Sequence, residues 1–283
     1  PDVLRLAGHD NILTSSTNPT LPYGLNAVEE HLDMIMFCHG MDAERASDVH
    51  IARARVRAAT MVAESRLHDL GVIHMTSSDA QGMGRAGETW WRTFALAGVV
   101  AAADPGRSER SEADDDNERI LRYLAKITVN PAIVHGIMHE VGRLATGFLA
   151  DIALWRPEMF AAKPWLVLKG GFPAWGVTGD PNASIDSAQP LILAEQFGAI
   201  GSTPSDLSFL ISNAEALAHG PAPMARRAIA TSGCRSVRSR DLVRHSEPGE
   251  VQVSPQGDVV TWNGEALTID PVRHVPLSRL HFW

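Results

Sequence analysis

Between Asn26 and Ala103 the apolar residues recur at helical spacing, then in a short continuous run, then at helical spacing again. This alternation restricts the fold more than any other feature of the chain. Val28, Leu32, Ile35 and Met36 fall at i, i+4, i+7 and i+8, on one helix face, and Gly40 is placed to stop that helix. Ser47 suits the N-cap of a second helix running toward Leu70 and ending at Gly71. Gly71-Val-Ile-His-Met-Thr-Ser77 reads as a strand, and Glu88 to Ala103 as the next helix. Such a βα rhythm predicts a parallel α/β fold, in which catalytic groups gather at the carboxyl ends of the strands. Asp79 falls just past one such end, before the nearby glycines Gly82 and Gly84.

Around this centre the chain changes texture. Val3 to Leu6 suits a buried strand entered mid-course, so the chain reads as cut from something larger. Ser15-Ser-Thr-Asn-Pro-Thr-Leu-Pro22 is loop chemistry, with two prolines against helix. Asp104 to Asn117 predicts a solvated loop leading into a helix N-terminus. Its adjacent aspartates diverge on a helix and make a poor metal site. After Gly142, strands are expected at Leu149–Trp155 and Trp165–Lys169, the second closing on Gly170-Gly171. Val251-Gln-Val253, Asp258 to Trp262 and Glu265 to Ile269 predict a meander, with turns at Pro255-Gln-Gly-Asp258 and Asn263-Gly264.

Composition narrows the function classes. At 283 residues the chain is long enough for a sizeable core, and 45% hydrophobic with 20% charged residues argues against wholesale disorder. A formal net charge of −8 gives no electrostatic case for nucleic-acid binding. No apolar run approaches the roughly 18 residues that span a bilayer. Two cysteines, Cys38 and Cys234, make no disulfide framework, which fits a reducing compartment.

Several side chains could carry chemistry, each with a plainer alternative. Asp79 is placed to bind a divalent metal or act as a base; its plainer reading is a turn or N-cap aspartate after Ser77-Ser78. An imidazole at His39 could serve as general acid or base, or sit solvated at a helix end. Cys38 beside it is a candidate nucleophile, or an inert buried thiol. Arg53, Arg55 and Arg57 lie on one helix; Arg53 and Arg57 share a face while Arg55 points elsewhere, either orienting a ligand or standing in solvent. His135 and His139 stand at i, i+4, the spacing that chelates zinc on a helix. Gly136 occupies the position where the zinc-protease motif has glutamate.

Taken together, these segments resemble urease, specifically the C-terminal half of its alpha subunit. The likeness runs nearly end to end. It is carried by Ser15-Ser-Thr-Asn-Pro-Thr, Glu30-His-Leu-Asp-Met34, Cys38-His39, Leu67-His-Asp-Leu-Gly71, Met75-Thr-Ser-Ser-Asp79 and Gly84-Arg85. It continues through Thr128-Val-Asn-Pro-Ala, His135-Gly-Ile, His139-Glu-Val-Gly, Leu166-Val-Leu-Lys-Gly-Gly, Gly179-Asp-Pro-Asn-Ala-Ser-Ile and Phe197-Gly-Ala. The resemblance implies an α/β fold: the C-terminal part of a (β/α)8 TIM-type barrel over residues 1–141, with an active-site flap at about 25–60. A β-rich segment and C-terminal α+β extension would occupy residues 142–283.

It further implies hydrolysis of urea to ammonia and carbamate at two nickel ions bridged by a carbamylated lysine. By resemblance Asp79 ligates one nickel, His39 is the flap general acid, and Cys38 is the reactive but non-essential flap cysteine. Arg55 positions the flap and a site histidine. Gly82 stands where the family usually has an alanine whose carbonyl accepts a urea N–H, with Met83 beside it. Implied partners are urea, the urease beta and gamma subunits and the N-terminal half of alpha, in a trimer of heterotrimers, in the cytoplasm, with no nucleic acid or membrane. The remaining metal ligands are expected upstream of Pro1. Gly40, Gly82, Trp90-Trp91, the acidic loop near Asp114 and the terminal Arg279-Leu-His-Phe-Trp283 depart from the family pattern. Two alternatives stand beside this reading: a non-catalytic truncated fragment or assembly module, and a different amidohydrolase on the same scaffold.

Overall fold

The computed structural model describes residues 2–82, 84–103, 115–178, 187–190, 209–219, 227–245 and 248–277. They are mixed α/β and group into two compact units. The first comprises residues up to Asn130 together with Val237–Ser278, and the second Pro131–Ser236 with the terminal Arg279–Trp283. The division is therefore discontinuous in sequence.

In the first unit the chain starts with a 3-10 helix at Asp2–Leu6. This corrects the expected strand: Val3 and Leu6 are exposed, and among the described residues no strand pairs with the segment. Strand β1, Ser15–Thr17, follows, then helices α1 (Ala27–Cys38), α2 (Ala46–Arg55) and α3 (Ala58–Asp69). The predicted single helix after Ser47 is thus two, separated at Val56–Arg57, where both residues are extended. The residue at the α2 N-cap is Arg45, and no side chain caps it. Strand β2 is Met75–Ser77, and a 3-10 turn at Ala86–Glu88 leads into α4, Thr89–Ala103. Helices α5 (Asn117–Ile127) and α6 (Val129–Val134) follow. The acidic segment 104–114 lies outside the described residues, but its end does what was expected. Asp115 Oδ1 accepts from the Asn117 N–H at 3.1 Å at the start of α5.

Strands β1 and β2 run parallel, pairing Ser15 with Met75, Ser16 with Thr76 and Thr17 with Ser77. Helices α4 and α5 pack against β2. The apolar face foreseen on α1 is real. Ile35 is buried, and Val28, Leu32 and Met36 pack with Ala52 of α2, Val56 in the break that follows it and Met61 of α3. Gly40, at φ 59°, follows its end.

The second unit begins its strands with β3 (Ile152–Leu154), β4 (Leu166–Lys169), β5 (Phe172–Thr178) and β6 (Ser187–Pro190), an antiparallel sheet in that order. Gly170 and Gly171, both at positive φ, turn the chain between β4 and β5. Asp151 secures that turn, accepting from the Gly170 N–H at 2.9 Å and pairing with Lys169 at 2.6 Å. Strands β7 (Phe209–Ser212) and β8 (Arg227–Ala230) are parallel, with the short helix α7 (Ala214–Ala218) between them in sequence.

Back in the first unit, β9 (Val251–Val253), β10 (Val260–Trp262) and β11 (Glu265–Ala266) form the predicted meander. Asn263 and Gly264, both at positive φ, make the tight turn. Val251, Val253, Val260 and Leu267 close over Ala7, Ala63, Leu67, Val72 and Ile73. This apolar cluster is why residues 237–278 belong with the N-terminal segment.

One face of α5 is polar and turned inward: Arg119, Tyr123 and Lys126, at i, i+4 and i+7, are all buried. Arg119 Nε donates to Asp69 Oδ1 at 2.8 Å, and Lys126 Nζ donates to the Ile73 carbonyl. Burial pushes the Lys126 ammonium down to about 7, helped by the Arg122 charge and opposed by Asp69. His74 is pushed down to about 4, first by burial, then by the charges of Lys126 and His245. His68 is driven in the same direction by burial and Lys126.

All three groups therefore take up protons more readily when unfolded. Between about pH 4 and 6.5 for His74, and between about 7 and 10.5 for Lys126, their contribution to stability rises with pH, and His68 adds with the same sign below its ordinary 6.5. Glu64 has the opposite sign above its ordinary 4.5, because burial raises its carboxyl. The thermal midpoint is expected to be higher at about pH 8 than at about pH 5.5. A midpoint that is flat or falls over that interval, followed by circular dichroism, contradicts the neutral state of these buried groups.

Among the described residues no helix is long and apolar enough to cross a membrane.

Candidate functional site

The carboxyl ends of β1 and β2 lie side by side, and each leads into a turn fixed by polar contacts. After β1, the Asn18 N–H donates to Ser77 O at 3.1 Å, while its buried amide reaches Thr89 O at 3.3 Å on α4. The segment read as loop from Ser15 thus holds a strand and a buried asparagine. Pairing with β2 overrides its turn-forming composition. Arg92 of α4 steadies the same loop, donating to Pro19 O at 2.8 Å while paired with Glu88 at 2.8 Å.

After β2 the chain turns sharply. Ser78 Oγ accepts from the Ala80 N–H at 3.0 Å, and Asp79 O accepts from both Gly82 N–H and Gly84 N–H at 3.0 Å. Asp79 is held at φ 55° and Gln81 at φ 70°, the left-handed region that few side chains other than Asp and Asn enter readily. A Cβ at Gly84 would lie 1.7 Å from Ser78 O, so no larger residue fits without opening the turn. A Cβ at Gly82 would lie 2.8 Å from Asp79 Oδ1. The turn thus brings Asp79 and Gly82 together, and the glycine leaves room for the half-buried carboxylate to lean across it. Met83 lies outside the described residues.

The other candidates sit on the α1–α2 helix pair. Cys38 is the last residue of α1 and is exposed, which corrects its reading as a buried thiol. His39 caps the helix, its N–H donating to Ile35 O at 3.0 Å with its side chain in solvent. Gly40 beyond it has open space where a Cβ would be. Arg55 is the last residue of α2, also exposed. His135 and His139 do not share a helix: α6 ends at Val134 and Gly136 turns at φ 69°. Among the described residues no group of three or more His, Cys, Asp or Glu side chains is placed to hold a metal ion.

Several polar groups near the site had no clear signature in the sequence. His74 lies just before β2 inside a run read as apolar, and Lys126 and Asn130 sit on helices flanking it. Only the recurrence of polar residues at i, i+4 and i+7 on α5 could have hinted at a buried polar face.

The model of the amidohydrolase family matches residues 1–173, a span that includes β1, β2 and the Asp79 turn. The chain belongs to the amidohydrolase family. Within it, the similarity is to urease alpha subunits and runs through the whole chain, making this a urease-like amidohydrolase sequence. It is 50% identical over 284 residues to urease subunit alpha 2 of Streptomyces coelicolor and 51% identical to urease subunit alpha 1 of Streptomyces avermitilis. It is 43% identical over 286 residues to urease subunit alpha of Yersinia pestis. Each match covers all of this chain and 50% of the relative, so the chain spans about half the length of the curated relatives it matches.

Proposed function

We propose that this chain is the part of a urease alpha subunit that contributes one metal-ligating carboxylate and the flap that closes over the substrate. The observation that carries this is Asp79. It is an aspartate fixed in a left-handed turn at the carboxyl ends of two parallel strands, in a chain similar to urease alpha throughout. In this reading β1 and β2 belong to the C-terminal part of a (β/α)8 barrel reaching to about residue 141. A β-rich segment and an α+β extension follow.

The donors among the described residues do not fit a dinuclear nickel centre by themselves, since no three His, Cys, Asp or Glu side chains converge among them. In this reading the remaining ligands are supplied by other segments of the complete alpha subunit. What this chain's own residues do is more limited. As a water adds its oxygen to the urea carbon and the C–N bond breaks, His39, on the flap of about 25–60, delivers a proton to the leaving nitrogen and is reprotonated by one the water gives up, giving ammonia and carbamate. Urea is neutral and resonance-stabilised, so protonating its leaving nitrogen lowers a large part of the barrier. Arg55 steadies the flap and a site histidine, and Cys38 lines the flap. The Gly82 carbonyl accepts a urea N–H, with Met83 beside it. Flap closure excludes water as His39 arrives. In the cell the complete protein works with beta and gamma subunits as a trimer of heterotrimers in the cytoplasm.

The purified 283-residue chain is expected to hydrolyse no urea and to lose added nickel on dialysis, because one carboxylate cannot hold such a centre. A lone chain that retains nickel and releases ammonia contradicts the division of ligands proposed above. A longer protein that is inactive with nickel and partners supplied would favour the alternative, a non-catalytic fragment or assembly module.

A further inference from the structure

We propose that Lys126, Asn130 and His74 act as positioning residues for Asp79, bracing the peptide groups that lead into β2 and so fixing where its carboxyl end delivers the turn. The importance of Asp79 rests on the functional reading above; the brace itself rests on geometry. Among the described residues, β1 is the one strand neighbour of β2. The ladder on that side is ordinary, with the Met75 N–H donating to Thr14 O at 3.2 Å and the Asn18 N–H to Ser77 O at 3.1 Å. Just upstream, two successive carbonyls are taken by side chains instead. Lys126 Nζ donates to Ile73 O, and Asn130 Nδ2 donates to His74 O at 3.1 Å.

Asn130 behaves here like a short piece of strand. Its Nδ2 also donates to Val243 O at 3.2 Å, and its Oδ1 accepts from the Val243 N–H at 2.8 Å. The His74 ring closes the brace on a third segment. Its Nδ1 accepts from the Thr14 N–H at 3.1 Å, which leaves Nε2 protonated to donate to Ser239 Oγ at 2.6 Å. Ser239 is itself anchored, its N–H donating to Asp10 O at 2.8 Å. Lys126, Asn130, His74 and Ser239 are all buried, with 1%, 2%, 2% and 3% exposure.

Buried polar groups with several partners each are costly to leave half-satisfied, so this arrangement has one favoured geometry. It joins the lead-in to β1, the lead-in to β2, the α5–α6 segment and residues 239–243 at one place. From there β2 runs three residues to the turn that holds Asp79. These side chains act on Asp79 through the peptide groups that lead into β2, so losing one is expected to let the turn that carries it shift.

The test uses the full-length protein and two variants. Lys126→Met keeps the apolar stem and removes the donor to Ile73 O. Ser239→Ala removes only the acceptor for His74 and is the milder change should the first fail to fold. Amide hydrogen exchange is followed in peptides covering 75–82 and, as an internal reference within the same unit, 251–262. The expected result is faster exchange confined to 75–82, with nickel lost to a chelator more readily than in wild type. Exchange that rises equally in both regions would reduce the brace to general fold stability and overturn the proposal. So would unchanged exchange at 75–82 in a folded variant. Wild-type protein that binds no nickel, yet shows the localised exchange effect in the variants, would overturn the reading of Asp79 as a ligand while upholding the brace.

Discussion

In the full-length protein, Asp79→Asn is expected to lower nickel affinity by more than about 100-fold, beyond the range seen when merely supporting residues are lost, and to take urea hydrolysis with it. Asparagine is the informative substitution. Asp79 sits at φ 55°, where Asn is tolerated and Ala is strained by about 1–3 kcal/mol. The turn is closed by the backbone carbonyl of residue 79, which accepts from Gly82 and Gly84 in either variant. Asp79→Asn therefore preserves the backbone turn while removing the negative charge. Metal analysis after dialysis, beside a thermal melt showing the fold intact, checks it. Full nickel occupancy in the variant would remove Asp79 from the ligand set.

The second large effect is expected at His39. His39→Ala should lower kcat by about 10²–10⁴-fold, the usual contribution of a positioned general acid, while KM moves only a few-fold. The side chain is exposed at the α1 C-terminus, and the next residue, Gly40, has open space around it. The substitution is thus expected to leave stability within about 0.5 kcal/mol. Steady-state kinetics on the assembled enzyme separate the alternatives. A variant with unchanged kcat has no acid at this position, and one with raised KM alone points to substrate binding.

The features legible in sequence share a physical character: they are local. The α1 face is written in the spacing of Val28, Leu32, Ile35 and Met36, and its end in Gly40. The last hairpin is written in Asn263-Gly264, because few other pairs adopt positive φ twice running. Asp79 was legible as a residue just past a strand, though not as a left-handed one. What escaped depends on partners distant in the chain. Ser15–Thr17 is polar and turn-like, and becomes a strand only because Met75–Ser77 pairs with it. The inward polar face of α5 makes sense only once Asp69 and Ile73 supply its partners. The return of residues 237–278 to the first unit is fixed by apolar contacts with Leu67, Val72 and Ile73, which no periodicity could announce. The break between α2 and α3 has no proline or glycine to mark it; Val56 and Arg57 are simply extended there.

The most direct test of the central claim is urea-dependent ammonia release by the full-length polypeptide containing these 283 residues, produced with nickel and the beta and gamma subunits, beside its Asp79→Asn variant. Ammonia release and dialysis-resistant nickel are expected in the wild type, with both lost in the variant. Equal nickel retention and equal ammonia release in the two proteins would contradict the role given to Asp79.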